Sequence, residues 1–271
     1  VRMTANMYPY TASATGLTSR LPAWALEGGG KAMRKRLRNP AIPRKVLREM
    51  GQGIPYKNSE PENVCLTGFR LDSLQKKYAG KRLNEVAALY GKSVDETTLD
   101  LIITDKSRIE CIYFLQSEDN LQKIMRQPYV SFGSDAGSLG IGEQFVKWGS
   151  HPRAYGTFAR LLGKYVRDEN IISLEEAVRR LTSLPALNLK LKKRGRLAPG
   201  FFADIVIFDP DNICEKATFD SPAQYAEGVH HVFVNGVAVI ANGEHTHAKP
   251  GRVIYGPGYT KSKDVVNDSK F

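Results

Sequence analysis

The stretch from Arg108 to Asp135 places the tightest constraint on the fold. It starts with the β-rich run RIECIYFLQ, passes through SEDNLQKIMRQP, which has the pattern of a short helix, and ends with the apolar run YVSFGSDA. A strand, a helix and a second strand form the usual unit of a parallel sheet, because parallel strands need a long crossover. The sequence therefore predicts an α/β fold in which a strand near Val130 ends at Gly133-Ser134-Asp135.

The residues before this unit predict short elements of both kinds. RMTANMYPY has the alternation of a strand, and TASATGLTS is typical of a loop. From Gly29 the pattern is helical, and two prolines divide it into two short helices. NVCLTGFR indicates an extended segment, and RLNEVAALYG an amphipathic helix that ends at Gly91. The run SVDETTLDLIITD predicts a further helix, with Ser93 or Asp95 as its N-cap.

The chain changes from helical to β-rich character near residue 196. Before it, RAYGTFARLLGKYVRDE and SLEEAVRRLTSLPA predict two helices, the second with a capping box formed by Ser173 and Glu176. After it, FFADIVIFDP, HHVFVNGVAVIANG and RVIYG predict strands, and Asn235-Gly236 predicts a type I′ hairpin turn. We therefore expect an α/β part over residues 1–195, a small β part over residues 196–258 and a loose tail over residues 259–271.

The charge balance limits the partners of the chain. It has 39 Lys and Arg against 28 Asp and Glu, a formal net charge of +11, and dense basic runs from Lys31 to Met50 and from Lys190 to Arg196. Such runs occur in nucleic-acid-binding proteins and on solvated helix faces. Because no aromatic residues interleave them as stacking platforms, the solvated face is favoured and nucleic acid is the weaker alternative. No apolar run approaches the roughly 20 residues of a membrane span, so we expect no membrane partner.

The cysteines and the first residues bear on the compartment. Cys65, Cys111 and Cys214 are widely separated and odd in number, so they predict neither a disulfide framework nor a CxxC metal knuckle. A cytoplasmic location is expected, with export as the open alternative. The sequence starts at Val1 without the apolar core of a signal peptide. We interpret it as a fragment, a processed product or a trimmed chain.

Asp135 is the first candidate for a functional residue. At the carboxyl end of a parallel strand, a carboxylate faces the usual active-site mouth of an α/β barrel, where it can act as a general base or bind a metal. The alternative is that its side chain caps the loop that follows the strand. From spacing alone both interpretations stay open.

The five histidines give weaker indications. His245 and His247 have the His-x-His spacing that can grip a metal, but they lie in a turn-rich stretch, so we predict that they are not zinc ligands. His230 and His231 are adjacent and would face opposite ways on a strand. His151 precedes a helix shortly after Asp135, which makes it and Arg153 better candidates for lining a pocket. The first 150 residues contain no histidine, so a histidine-based metal site cannot come from that part of the chain alone.

Several stretches, taken together and in order, resemble one known family. They are MYPYTASATGL, LPAWALEGG, IYFLQSEDNL, YVSFGSDAGS, HPRAYGTFARLLGKYVRDENIISLEEAVRRLTSLPA and GRLAPGFFADIVIFDP. This order resembles the C-terminal half of the N-acyl-D-amino-acid deacylases, or D-aminoacylases, of the amidohydrolase superfamily. The resemblance runs from about residue 4 to about residue 255, and its two longest blocks are quite specific together, whereas any one of the short blocks would be weak.

The resemblance implies a zinc-dependent hydrolase that removes the acyl group from an N-acyl-D-amino acid. The implied fold is the C-terminal part of a TIM barrel, with a late insertion at about residues 25–110 and a small β domain. Asp135 matches the aspartate that works on the metal-bound water, as catalytic residue and metal ligand. The matching substrate-side positions are Tyr8 or Tyr10, Ser13, His151 and Arg153, whose guanidinium can pair both oxygens of a carboxylate.

The departures from the family pattern are as informative as the matches. The family's His-x-His on the first strand, its bridging cysteine and the histidines of the fifth and sixth strands all precede YPYTAS, and this sequence begins just before that point. Cys65 falls in the insertion and does not replace the bridging cysteine. We therefore expect one catalytic carboxylate without a full zinc-ligand set, and a missing N-terminal half or partner chain. The alternative function is a non-catalytic half-barrel that serves as a binding or assembly module.

Overall fold

A computed structural model describes residues 3–50, 59–142 and 151–260. Within these residues the chain is mixed α/β, and its strands form three separate sheets. The expected tail lies mostly outside the described residues, as do residues 143–150 between Asp135 and His151. No described helix combines the length and apolar character needed to cross a membrane.

The first sheet pairs two short parallel strands, β1 (Ala5–Met7) and β5 (Val130–Phe132). Both strands are confirmed where the sequence predicted them. All three residues of β5 are buried, and Asn6 donates a side-chain hydrogen bond to the hydroxyl of Ser131 at 3.0 Å. The Gly133 amide donates to the carbonyl of Met7. The pairing therefore continues up to the loop that carries Asp135.

The second sheet is antiparallel, with β4 (Glu110–Tyr113) between β2 (Ser13–Gly16) and β3 (Val64–Gly68). The prediction that β4 and β5 belong to one parallel unit is wrong, because β2 and β3 occupy both edges of β4. The prediction of a loop over TASATGLTS is wrong as well. That run forms β2 and a 3-10 turn at Leu17–Arg20, since the ladder to β4 overrides the weak strand propensity of its small residues.

Within the described residues, six helices surround this second sheet. Their ends follow the capping chemistry: Gly91 closes one helix in the left-handed conformation at φ 62°, and the Ser93 hydroxyl accepts from the Glu96 amide at the start of the next. One buried core runs from Leu17 to Tyr113. The helices are α1 (Ala23–Leu26), α2 (Gly29–Leu37), α3 (Ala41–Glu49), α4 (Asp72–Tyr78), α5 (Leu83–Tyr90) and α6 (Val94–Asp105).

A second core covers β5. It contains Phe132 and Tyr165 and is built by α7 (Glu118–Met125), α8 (Arg153–Arg160), a π-helical continuation at Leu161–Asp168 and α9 (Leu174–Leu181). Ser117 and Ser173 cap α7 and α9 with their hydroxyls. The helix predicted over SLEEAVRRLTSLPA is divided at Thr182, where φ is −128° and ψ is −80°, so that α10 (Ser183–Asn188) follows as a separate helix.

The third sheet is antiparallel and consists of β6 (Ile205–Phe208), β7 (Val229–Val234), β8 (Val237–Ala241) and β9 (Glu244–His245). Asn235 and Gly236 both have positive φ, at 50° and 82°, which confirms the type I′ turn. The strand predicted over RVIYG is wrong. These residues pair with no described strand, and Val253 is 77% exposed.

Candidate active site

Asp135 lies three residues beyond β5, on the loop that leaves the first sheet. Its backbone is left-handed, at φ 48°, a conformation that aspartate tolerates better than most residues. A Cβ at Gly133 would lie only 2.7 Å from the side-chain oxygen of Asn6. A larger residue at Gly133 would therefore displace the Asn6 side chain from its hydrogen bond to Ser131. Beyond this point the Asp135 side chain is 68% exposed.

Arg153, the first residue of α8, faces this carboxylate. The distance from its Nη2 to Asp135 Oδ2 is 2.9 Å. The residue is only 8% exposed, and its guanidinium lies 4.6 Å from the centre of the Tyr8 ring. An aromatic face beneath a buried cation fixes the guanidinium plane and excludes water from one side of it. The site therefore combines a rigid cation with an accessible carboxylate.

His151 is buried next to Arg153. It is 6% exposed, its Nε2–H donates to the Ala12 carbonyl at 3.0 Å, and its Nδ1 accepts from the Arg153 amide at 3.0 Å. Burial, together with the charge of Arg153, lowers the pKa of His151 to about 3. The imidazole is therefore neutral near pH 7. It joins Ala12, the residue before β2, to the start of α8.

The structure separates the roles of the two candidate tyrosines. Tyr8 is partly exposed and stacks with the guanidinium of Arg153. Tyr10 is buried, and its hydroxyl donates to Glu215 Oε2 at 2.6 Å. Burial, followed by the hydrogen bond and the charge of Glu215, raises the pKa of Tyr10 far above its usual value. Tyr8 thus borders the open side of the site, while Tyr10 is held inward.

Ser13 is the remaining candidate from the sequence. It is the first residue of β2, next to the Ala12 carbonyl that His151 holds. The residue is 8% exposed, and within the described part of the chain its hydroxyl has no hydrogen-bond partner. A buried hydroxyl without a partner carries a desolvation cost, which a bound polar ligand would remove.

Three further residues of this site were missed in the sequence. Glu215 and Phe219 come from the segment between β6 and β7, and Arg160 from the end of α8. Arg160 pairs with Glu215 and donates from Nε to the Pro9 carbonyl at 2.7 Å. The Phe219 ring lies 5.1 Å from that of His151. No local pattern marks these residues, because their contacts join segments that are far apart along the chain.

The described residues do not form a metal site. They contain no group of three or more His, Cys, Asp or Glu side chains that could hold an ion. The Asp135 carboxylate forms an ion pair with Arg153. His245 and His247 lie on the third sheet and beyond it, both exposed, and the His247 amide donates to His245 Nδ1 at 2.9 Å. The side chains present do not fit a zinc ion by themselves.

Comparison with known proteins adds sequence relatives. Residues 107–240 match the Amidohydrolase family. The chain is 38% identical over 175 residues to an N-acyl-D-glutamate deacylase from Alcaligenes xylosoxydans xylosoxydans, covering 65% of this chain and 33% of the relative. A D-aminoacylase from the same organism is 38% identical over 176 residues, with 65% and 34% covered. This chain therefore spans about a third of the length of the curated relatives it matches.

Solved structures show the same likeness over more of the chain. A D-aminoacylase mutant in complex with CuCl2 has a TM-score of 0.68 and 30% identity, covering 93% of this chain and 42% of that one. An N-acyl-D-glutamate deacylase from Bordetella bronchiseptica, complexed with zinc and a phosphonate inhibitor, has a TM-score of 0.63 and 28% identity, covering 89% and 41%. Both neighbours are structures with a metal.

Proposed function

From the premise that this chain resembles the C-terminal half of the N-acyl-D-amino-acid deacylases, in the amidohydrolase family, we propose that it serves a metal-dependent hydrolase that removes the acyl group from N-acyl-D-amino acids. The observation that carries the proposal is the buried guanidinium of Arg153, 2.9 Å from the exposed carboxylate of Asp135. A cation suited to the carboxylate of the substrate thus stands beside a carboxylate suited to proton transfer.

Arg153 is the anchor for the carboxylate of the substrate. A guanidinium can pair both carboxylate oxygens in one plane, and the Tyr8 ring fixes that plane here. The unpartnered hydroxyl of Ser13 supports a second hydrogen bond to the ligand. His151 holds both the strand of Ser13, through the Ala12 carbonyl, and the amide of Arg153. These contacts keep the binding groups in a constant relative position.

Asp135 is the general base of the proposed reaction. Its carboxylate takes a proton from the attacking water and passes it to the leaving amine, so acyl transfer to water needs no covalent intermediate. A substrate carboxylate that reaches Arg153 competes with Asp135 for the guanidinium. The arrival of substrate therefore weakens the ion pair and leaves the Asp135 carboxylate available to hydrogen-bond the attacking water.

The proposed hydrolase needs more than the described residues. Because the described side chains do not fit zinc, the zinc ligands would come from outside the described part of the chain. Among the described strands, β1 and β5 pair only with each other, which leaves their outer edges unpaired. These edges support completion of a TIM-type barrel by further strands, from a preceding segment or from a partner chain.

The separate cores support the proposed insertion as a unit of its own, whereas the second core also takes in Ile213 from the small β part. Residues 1–195 form the barrel part, with the insertion at about residues 25–110, and residues 196–258 form the small β domain. The core from Leu17 to Tyr113 lies within and around the proposed insertion, apart from the core around Phe132. For the whole protein we propose a cytoplasmic location, because the three cysteines are free.

A non-catalytic half-barrel for binding or assembly is the second candidate function. The absence of a metal-ligand group among the described residues favours it. Catalysis is the property that separates the two candidates.

Binding of N-acetyl-D-glutamate to the chain, measured by isothermal titration calorimetry, tests the site. We expect binding that Arg153→Gln weakens at least about tenfold, since one lost charge-assisted pair is worth about 1.5–3 kcal/mol. Arg126→Gln is the control, because Arg126 is exposed and follows α7. Equal affinity for wild type and Arg153→Gln would contradict the assignment of Arg153.

A further inference from the structure

We propose that Glu215, in the segment between β6 and β7, is a positioning residue of the candidate active site. Its carboxylate binds Tyr10 and Arg160. Through these contacts it fixes the positions of the His151 imidazole and of the start of α8, where Arg153 lies. The inference rests on the proposed function, in which Arg153 binds the carboxylate of the substrate. The small β part of the chain would thereby contribute directly to the geometry of the site.

The contacts of Glu215 tie three parts of the chain together. Its Oε2 accepts from the Tyr10 hydroxyl at 2.6 Å, and its Oε1 pairs with Nη1 of Arg160. Arg160 also donates from Nε to the Pro9 carbonyl at 2.7 Å. The two charged side chains are only 20% and 18% exposed, so their attraction is screened less than that of a surface pair. One carboxylate thus fixes the chain after β1 against the end of α8.

Tyr10 carries this constraint to the imidazole. Its ring meets the His151 ring edge-to-face, with centroids 5.3 Å apart at 89°. On the side of Glu215's own segment, the Phe219 ring meets His151 at 5.1 Å and 79°. The imidazole is therefore packed between two aromatic rings whose positions both depend on residues 215–219. From His151 the constraint passes to Arg153, whose amide donates to Nδ1.

A glycine in α8, the helix that carries Arg153, allows close packing against Tyr10 and Glu215. A Cβ added at Gly156 would lie 2.5 Å from the Tyr10 hydroxyl and 2.9 Å from Glu215 Oε2. Only a residue without a side chain lets α8 approach the Tyr10–Glu215 pair so closely. This contact places the carboxylate one helical turn from Arg153 along α8, within the same packed layer.

A purely structural brace would lower stability and leave the site unchanged in the folded molecules. A positioning residue makes a different prediction, because its loss should alter His151 and ligand affinity while the fold persists. Two variants separate these cases. Glu215→Leu keeps the approximate size and removes both contacts, whereas Glu215→Gln keeps the shape and an acceptor for Tyr10 but removes the charge.

The experiment uses the full chain, with ¹⁵N-histidine NMR and titration with N-acetyl-D-glutamate. In wild type, His151 should show one neutral tautomer with the proton on Nε2 from pH 5 to pH 8. In Glu215→Leu we expect those signals to shift or to broaden and the dissociation constant to rise at least tenfold, with Glu215→Gln in between. Glu227→Gln is the control, since this exposed carboxylate of the same segment pairs only with Lys216 among the ion pairs described.

Each outcome decides the matter. Unchanged His151 signals and unchanged affinity in folded Glu215→Leu would overturn the proposal. If Glu215→Leu does not fold, Glu215→Gln applies the same criteria. If wild type does not bind the ligand, the proposed function fails on that arm, while the His151 signals still test the positioning role of Glu215.

Discussion

Acid should destabilise this protein through His151. The ring is buried and both of its nitrogens are hydrogen-bonded, one as donor and one as acceptor. Protonation of Nδ1 would place a hydrogen against the amide of Arg153 and a charge beside its guanidinium. The folded protein therefore resists protonation of His151 down to a pKa of about 3, whereas the unfolded chain takes up the proton near the ordinary value of 6.5.

The sign and size of the effect follow from linkage. Between pH 6.5 and pH 3 the unfolded state binds more protons at this residue, so the free energy of unfolding falls as the pH falls. One proton corresponds to about 1.4 kcal/mol per pH unit. From pH 6.5 to pH 4 the loss attributable to His151 is therefore about 3 kcal/mol, a large part of the stability of an ordinary domain.

The measurement is urea unfolding at several pH values between 4 and 7. The quantity of interest is the difference in unfolding free energy between wild type and His151→Gln, because the other titrating groups cancel in it. His151→Gln should lose stability at pH 7, where its hydrogen bonds are disturbed, and should lose less than wild type on acidification. His245→Gln, at an exposed position, should keep the slope of wild type. Parallel curves for wild type and His151→Gln would refute the buried, neutral imidazole.

Three further predictions concern the reaction, the metal and the fold. In a catalytically complete enzyme, Asp135→Asn should lower kcat at least about a hundredfold, as expected for a lost general base, and near-normal turnover would remove Asp135 from the mechanism. Replacing His245 and His247 by Ala should leave the metal content of that enzyme unchanged, and loss of stoichiometric zinc on elemental analysis would show the prediction to be wrong. Arg180→Met should cost about 3 kcal/mol of unfolding free energy in urea, because the buried Arg180 donates to the carbonyls of Val130 and Met125 at 2.6 Å each; an unchanged midpoint would mean that these bonds contribute nothing.

Local chemistry in the sequence predicted most helix ends correctly. Gly91, Ser93, Ser117 and Ser173 mark boundaries because each satisfies backbone groups within three or four residues of itself. Strand partners depend on distant residues instead. Nothing near β4 in the sequence shows that it lies between β2 and β3, so the parallel unit was an error of pairing, while the elements themselves were placed correctly.

The residues of the site also fall into those that local sequence patterns predict and those that only long-range contacts show. The loop that presents Asp135, and the position of Arg153 at a helix start, follow from short patterns in the sequence. No short pattern could identify Glu215, because its hydrogen bond to Tyr10 joins residues 205 positions apart. The sequence also left Tyr8 and Tyr10 equivalent, and only the packing shows that one borders the open site while the other is turned inward.

Catalysis by a chimaera tests the proposed deacylase function most directly. In it, this chain replaces the matching segment of the D-aminoacylase from Alcaligenes xylosoxydans xylosoxydans, and release of free amino acid is measured from N-acetyl-D- and N-acetyl-L-amino acids. We expect zinc-dependent hydrolysis of the D-substrate, with a kcat that Asp135→Asn lowers at least about a hundredfold and a KM that Arg153→Gln raises. A folded, zinc-loaded chimaera that hydrolyses neither substrate would contradict it and leave the non-catalytic half-barrel as the function.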